Sequence, residues 1–365
     1  MPRIYLDHNA TTPLIPEAQK AILETIDTLG NASSIHAHGR TARTHIEEAR
    51  ESVAHFFKVK PSQVIFTSGA TESNNMVLKG FQGTIITSAI EHDSVLDAKP
   101  SALICSVDKQ GILDLDHLEK LLINTTTPTL VSVMAANNET GVIQPLDQIV
   151  HLCRRYGAKI HTDAVQAVGK LNIVWTDFDF ISLSAHKIGG LQGVGALIIN
   201  EKISLFPLIR GGGQERYFRS GTENRIGIVS LGKAIADCHN RDWQKIEMLR
   251  NTLQDRLIST CPEVVIFSKD APRLANTLCF STPNLTSNTQ VMHFDLSGIS
   301  VSAGSACSSG KVKTSHVLRA MGITSPHLDQ SLRVSLGITT TATDLDPFFT
   351  AWQTLYSRSQ ERIAS

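Results

Sequence analysis

Residues 159–170 read Lys159-Ile160-His161-Thr162-Asp163-Ala164-Val165-Gln166-Ala167-Val168-Gly169-Lys170, and residues 178–187 read Phe178-Asp179-Phe180-Ile181-Ser182-Leu183-Ser184-Ala185-His186-Lys187. Each block is a short apolar run of strand length. The first closes on Asp163, the second on Ser184-Ala185-His186-Lys187. In parallel α/β sheets ligands sit beyond the carboxyl ends of the strands, so an acid and a lysine at successive strand ends can face one ligand. Taken alone, such a pair is most simply a surface ion pair. Its weight comes from the rest of the chain.

Working outward, strands and helices alternate. Residues 64–67, 84–87, 102–105, 130–134 and 194–199 read as strands, and 17–29, 40–57, 71–80, 116–123 and 146–156 as helices. This rhythm predicts an α/β fold with a mostly parallel sheet covered on both faces. After Arg225 the character changes. Residues 226–260 are almost continuously helix-compatible and read as a connection between two domains. Short strands at 264–267, 277–280 and 332–335 follow, with helices at 290–296 and 315–321. A last helix is expected to start near Pro347, with Leu345, Phe348, Phe349, Trp352 and Leu355 as a core stripe.

The 365 residues suit one large and one small domain. The 34 basic and 34 acidic residues balance to a net charge of +0, which argues against a nucleic-acid footprint or a membrane-surface patch. No apolar run approaches the ~20 residues of a spanning helix. The start, Met1-Pro2-Arg3-Ile4-Tyr5-Leu6-Asp7-His8, has no signal-peptide core and reads as that of a cytoplasmic protein. Cys105, Cys153, Cys238, Cys261, Cys279 and Cys307 form no C-x-x-C pair, so neither a disulfide framework nor a metal site is expected.

Several segments add chemistry to Asp163 and Lys187. Thr67-Ser68-Gly69-Ala70-Thr71-Glu72-Ser73-Asn74 is a strand, a glycine turn and a helix start, a pattern that binds phosphate on backbone N–H groups. An ordinary helix cap reads the same way. His92 follows a strand, where an imidazole can stack on a ring and shuttle protons. Asn137-Asn138-Glu139-Thr140-Gly141 fits either turn chemistry or a ligand-binding amide. The Gly- and Arg-rich segment 211–224 fits either a phosphate site or a loop between domains. Arg333, in a late strand, suits a bidentate grip on a carboxylate or an interface ion pair. Cys307 lies in Ser302-Ala303-Gly304-Ser305-Ala306-Cys307-Ser308-Ser309-Gly310-Lys311. This run has little to pack, and Lys311 and Lys313 favour a thiolate. Together these pieces suit pyridoxal phosphate, bound covalently by the lysine while the acid keeps the pyridine nitrogen protonated.

The ordered set Tyr5-Leu6-Asp7-His8-Asn9-Ala10-Thr11-Thr12-Pro13, 67–74, Asn137-Asn138-Glu139, 161–166, 184–187, Arg219-Ser220-Gly221-Thr222 and Ser305-Ala306-Cys307 resembles the cysteine desulfurases of the NifS/IscS type. These are fold-type-I pyridoxal-phosphate enzymes among the class V aminotransferase relatives. The resemblance implies a large domain over residues 15–250, with a mostly parallel seven-stranded sheet. It implies a smaller α+β domain formed by residues 1–14 and 251–365 and carrying the cysteine loop. It implies Lys187 as the Schiff-base lysine, Asp163 on the pyridinium nitrogen, Gln166 at the ring oxygen and His92 stacked on the ring. Ala70, Thr71, Ser184 and His186 would hold the phosphate. Thr222 would reach the phosphate of a neighbouring subunit, in a homodimer. Asn138 and Arg333 would bind the carboxylate of L-cysteine, with Asn138 also near the cofactor. Cys307 would take the sulfur as a persulfide, leaving alanine, and deliver it to an acceptor or scaffold protein for iron–sulfur cluster assembly or thiolation.

Ala32 replaces the proline of the usual Gly-Asn-Pro-Ser-Ser pattern, which implies a looser turn. The long small-residue loop resembles the group with a far-reaching cysteine arm. The stretch after Arg333 is shorter than the extension by which housekeeping members contact the iron–sulfur scaffold. A selenocysteine lyase or another class V enzyme would share the cofactor chemistry and differ at Cys307. A partner-binding protein without chemistry would be expected to lack Lys187, Asp163 or Cys307.

Overall fold

A computed structural model describes residues 3–126, 128–201, 203–303 and 314–364. Cys307 lies outside the described residues. The central sheet has seven strands, in the order Val64–Thr67, Gly195–Ile199, Phe180–Ser184, Lys159–Asp163, Thr129–Ser132, Thr84–Ser88 and Leu103–Cys105. Gly195–Ile199 runs antiparallel to both neighbours and every other pair is parallel. The alternation of side chains along a strand fills both faces. Phe66, Ile86, Val131, Ile160, Ile181 and Ile198 join one buried cluster, and Ile65, Ile85, Leu130, Phe180, Leu197 and Ile199 join another. Helices Ala37–Phe57 and Arg225–Asp237 pack on the first face, and Ala70–Gly80 on the second.

A second, antiparallel sheet is formed by Ser331–Ser335, Thr277–Ser281 and Val265–Ile266. Its core holds Leu278, Phe280, Phe294, Val334, Phe348 and Trp352. The N-terminal strand Ile4–Tyr5 pairs in parallel with Ile299–Ser300, and Asp7 bridges to Ser335. The first residues of the chain are therefore tied to its last third.

Three expectations about the elements need correction. The helical run 226–260 is two helices, Arg225–Asp237 and Trp243–Thr260. They are separated because Arg241 turns to donate to the Ile188 carbonyl at 2.7 Å and Asp242 caps the second helix at the Lys245 N–H. The last helix begins at Ala342, ahead of Pro347, because the Asp344 carboxylate accepts the Thr341 N–H at 2.8 Å and secures the start. The turn at Ala32 is closed. Asn31 Oδ1 accepts from Ser33 N at 2.9 Å, and the Arg43 guanidinium grips the Ala32 carbonyl at 2.9 and 2.7 Å.

Glu215, Arg216 and Tyr217 take three successive left-handed conformations, with φ of 44°, 54° and 67°. The turn is pinned from inside. Both Glu215 oxygens accept from Arg50, at 2.8 and 2.9 Å, and one also accepts from Phe66 N at 2.8 Å. Both side chains of this ion pair are buried.

Candidate active site

A cavity of about 850 Å³ is lined by Asp163 and Lys187, from the ends of adjacent parallel strands. Ala70, Thr71, His92, Asn138, Gln166, Ser184, His186 and Arg333 line it too. Of the residues singled out in the sequence, two are not in this group. Thr222 is exposed and lies outside the cavity, and Cys307 is outside the described residues.

Asp163 is held by two donors. Its Oδ1 accepts from Val165 N at 3.0 Å and its Oδ2 from Asn74 Nδ2 at 2.7 Å. Asn74 Nδ2 also donates to Ser94 Oγ at 2.9 Å, and Ser94 Oγ lies 2.9 Å from His92 Nδ1. The Ser94 backbone N–H points at the same ring nitrogen at 3.0 Å, so Nδ1 is an acceptor and the proton of the neutral ring sits on Nε2. Acid and imidazole are thus locked to one another through Asn74 and Ser94. Sequence reading gave neither residue a role. The available sign was a polar pair, Ser73-Asn74, on the inward face of a helix, where both are fully buried.

Lys187 ends a short 3-10 turn, Ala185–Lys187. Its Nζ donates to the carbonyls of Asn9 and Ala10 at 2.6 and 2.7 Å. The Asn9 carbonyl also accepts from Gln166 Nε2 at 3.0 Å, and the buried Asn9 side chain is anchored to Asn138 O, Thr277 Oγ1 and Asn276. The N-terminal segment therefore closes one wall of the cavity, a role that no motif of sequence alone assigned to Asn9.

The start of helix Ala70–Gly80 also lines the cavity. Its N-cap, Gly69, has φ +152° and offers no side-chain bond to the first turn. That conformation favours glycine, and it leaves the first backbone N–H groups without a side-chain cap. Ser184 and His186 lie beside them. Burial, with Lys187 next to it, draws His186 down to about 4, so at neutral pH its ring is an uncharged hydrogen-bonding group. Glu72, in the same first turn, is taken up by Arg219 at 2.9 Å and Ser68 N at 2.7 Å.

Arg333 reaches the cavity already paired. Its Nη2 donates to Asp7 Oδ1 at 2.7 Å and its Nη1 to the Asn138 carbonyl at 3.1 Å, while its buried Nε has no partner. Asn137 is the turn residue of its segment. Its Oδ1 accepts the N–H groups of Glu139 and Thr140 at 2.9 and 3.0 Å, which leaves Asn138 to face the cavity. Gly141, at φ +78°, closes this turn where an added Cβ would come 2.7 Å from Thr277 Cβ.

Two buried acids support the site, Glu139 in the cavity lining and Glu91 outside it. Glu91 Oε1 accepts from Ser88 Oγ and Met134 N, at 2.5 and 2.9 Å, while Oε2 has no partner. Burial pushes Glu91 up to about 8 and Glu139 up to about 7. Glu139 accepts from Ser315 Oγ at 2.5 Å, and His316 Nε2 lies 2.8 Å from the Glu91 carbonyl, so the chain re-enters the site at 315–316 on these supports. Glu91 binds its proton more tightly folded than unfolded. Its contribution to stability is therefore full below its unfolded value near 4.5 and is lost as pH rises toward about 8. Between pH 5 and 8, melting of the Glu91→Gln variant should be flatter with pH than wild type, by a slope of up to about 1.4 kcal/mol per unit. Parallel curves in thermal melts would contradict this.

Cys105, Cys153, Cys238, Cys261 and Cys279 are buried and unbridged. Burial pushes Cys105 and Cys153 up to about 12 and Cys238 up to about 11, and raises Cys279 as well. These thiols pack as small apolar groups. Among the described residues no group of metal-binding side chains occurs, and no helix is long and apolar enough to cross a membrane.

Residues 4–348 match the family Aminotransferase class-V. A cysteine desulfurase IscS of Dictyoglomus turgidum is 40% identical, over 94% of this chain and 92% of its own length. The solved NifS-like protein of Rickettsia africae superimposes with a TM-score of 0.91 at 38% identity, over 97% of this chain and 99% of that one. SspA, solved in complex with cysteine, superimposes with a TM-score of 0.79 at 29% identity, over 93% of this chain and 100% of that one. The chain belongs to the class-V aminotransferase family, among its cysteine desulfurases of the IscS/NifS type.

Proposed function

We propose that the protein is a pyridoxal-phosphate-dependent cysteine desulfurase. The observation that carries this reading is the shared cavity of Lys187 and Asp163, with an uncapped helix N-terminus in its lining. The donor set fits the cofactor: a primary amine, a carboxylate, an imidazole, and backbone N–H groups beside Ser184 and His186 where a phosphate dianion is favoured. Bound there, pyridoxal phosphate supplies an electron-withdrawing ring that acidifies the α-carbon of an amino acid and weakens the bond to its sulfur.

The chain's own residues do the rest. Lys187 tethers the group and moves the proton at the substrate α-carbon through Nζ. Asp163, fixed by Asn74 and Val165, would hold the ring nitrogen in its charged form. His92, locked by Ser94, presents a flat ring, and Gln166, whose amide N–H here donates to the Asn9 carbonyl, would turn that N–H to the ring oxygen. Ala70, Thr71, Ser184 and His186 would hold the phosphate. Arg333 and Asn138 would take the substrate carboxylate, with Asp7 keeping the guanidinium in place until it arrives. Thr222, exposed outside the cavity, suits a contact with a second copy, and the exposed Leu208, Ile209 and Tyr217 of the same region suit burial in a homodimer. Residues 1–14 and 251–365 would act as the smaller lobe.

Cys307 is the remaining thiol once the five buried cysteines are set aside. Its thiolate attacks the substrate sulfur, the carbon–sulfur bond breaks, and L-cysteine plus enzyme thiol become L-alanine plus enzyme persulfide. The outer sulfur then passes to an acceptor protein. The relative solved with cysteine supports L-cysteine as substrate. Cys307→Ala is expected to abolish alanine release from L-cysteine, and mass analysis of the wild type after L-cysteine should find added sulfur on Cys307 alone. Undiminished turnover by the variant would favour a selenocysteine lyase or another class V reaction.

A further inference from the structure

Behind Gln166 the chain turns through Gly169 to Lys170, which is only partly exposed and sends its ammonium inward. Lys170 Nζ donates to Gln166 Oε1 at 3.0 Å. An ammonium has no acceptor, so this contact fixes which end of the Gln166 amide is oxygen. Gln166 Nε2 is then the donor, directed to the Asn9 carbonyl at 3.0 Å, and that carbonyl also receives Lys187 Nζ at 2.6 Å. The two lysines are linked through one amide and one carbonyl.

Among the described residues no carboxylate pairs with Lys170. The groups that bear on it are Lys187, Arg241, Arg333, His8 and the Cys238 thiol, with the Trp243 ring centred 5.9 Å from Nζ. Burial, then Lys187 and Arg241, draws Lys170 down to about 7. A buried cation without a counter-charge is costly to the fold. Such residues persist where function needs them.

We propose that Lys170 is a positioning residue for the reaction: it locks the Gln166 amide with its N–H end toward the site and sets a positive charge behind Lys187 that disfavours protonation of the cofactor-bound nitrogen. This rests on the pyridoxal-phosphate reading above.

The test is the pH titration of the visible band of the cofactor-loaded protein. Lys170→Gln keeps a donor for Gln166 but removes the charge, and its midpoint should move upward by about half a unit or more. Lys170→Arg, charged throughout the titration, should hold the midpoint at or below that of the wild type. Lys170→Met should show the same upward shift, with a raised melting temperature because the buried charge is gone. An unchanged midpoint in Lys170→Gln overturns the proposal. So does a shift that Lys170→Arg fails to reverse, since geometry alone would then account for it. If Lys170→Met does not fold, the Gln and Arg variants decide. A wild type that stays colourless with added pyridoxal phosphate would instead sink the cofactor reading itself.

Discussion

Lys187→Ala is expected to remove the visible absorbance that survives gel filtration of the loaded protein and to lower alanine formation by at least about 10³-fold. The size follows from two roles in one atom. In the proposed mechanism Nζ is both the covalent attachment point and the base at the substrate α-carbon, and among the described residues no other amine lines the cavity. Lys170, the neighbouring ammonium, is spent on Gln166. In this structure Nζ rests between the Asn9 and Ala10 carbonyls, which orient it. The fold should lose little, because truncation frees two carbonyl oxygens of a hydrogen bond each while removing a part-buried amine. Spectra after desalting, melting curves and an alanine assay together check this. Turnover within tenfold of wild type would refute the assignment.

Asp163→Asn should give the second largest loss, about 10²- to 10³-fold in alanine formation, with colour retained because Lys187 is intact. Both carboxylate oxygens now accept hydrogen bonds, from Val165 N and Asn74 Nδ2. An amide has one oxygen, so the substitution also sets two donors against each other beside Asn74, at a cost of about 1–3 kcal/mol in stability. The two effects separate in a double comparison. Asn74→Asp, which offers an acceptor to the new amide, should recover melting temperature but little activity. If it recovers activity as fully as stability, the acid at 163 is structural, and its electronic role fails.

Much of this site was legible because its residues sit at strand ends, where periodicity and punctuation are clearest. The block 159–163 stops at Asp163 and the block 180–184 runs straight into His186 and Lys187, so the sheet itself brings them together. Residues whose work depends on which way a helix or turn faces were not legible. Asn74 and Ser94 join Asp163 to His92 only because helix Ala70–Gly80 turns a polar face inward. Arg333 could be placed in a strand, but its partner Asp7 is more than three hundred residues away in sequence. The break after Asp237 was hidden for a similar reason: the local sequence permits a helix there, and a tertiary contact from Arg241 to Ile188 opposes it.

The three left-handed residues at 215–217 bear on how the molecule comes together. Each costs about 1–3 kcal/mol for a non-glycine side chain, so the turn does not form by itself. It closes only when Arg50, on helix Ala37–Phe57, and the Phe66 N–H, on an outer strand, are already in position to receive Glu215. The surface that carries Thr222 is therefore shaped by the packing of the interior beneath it and not by its own local sequence.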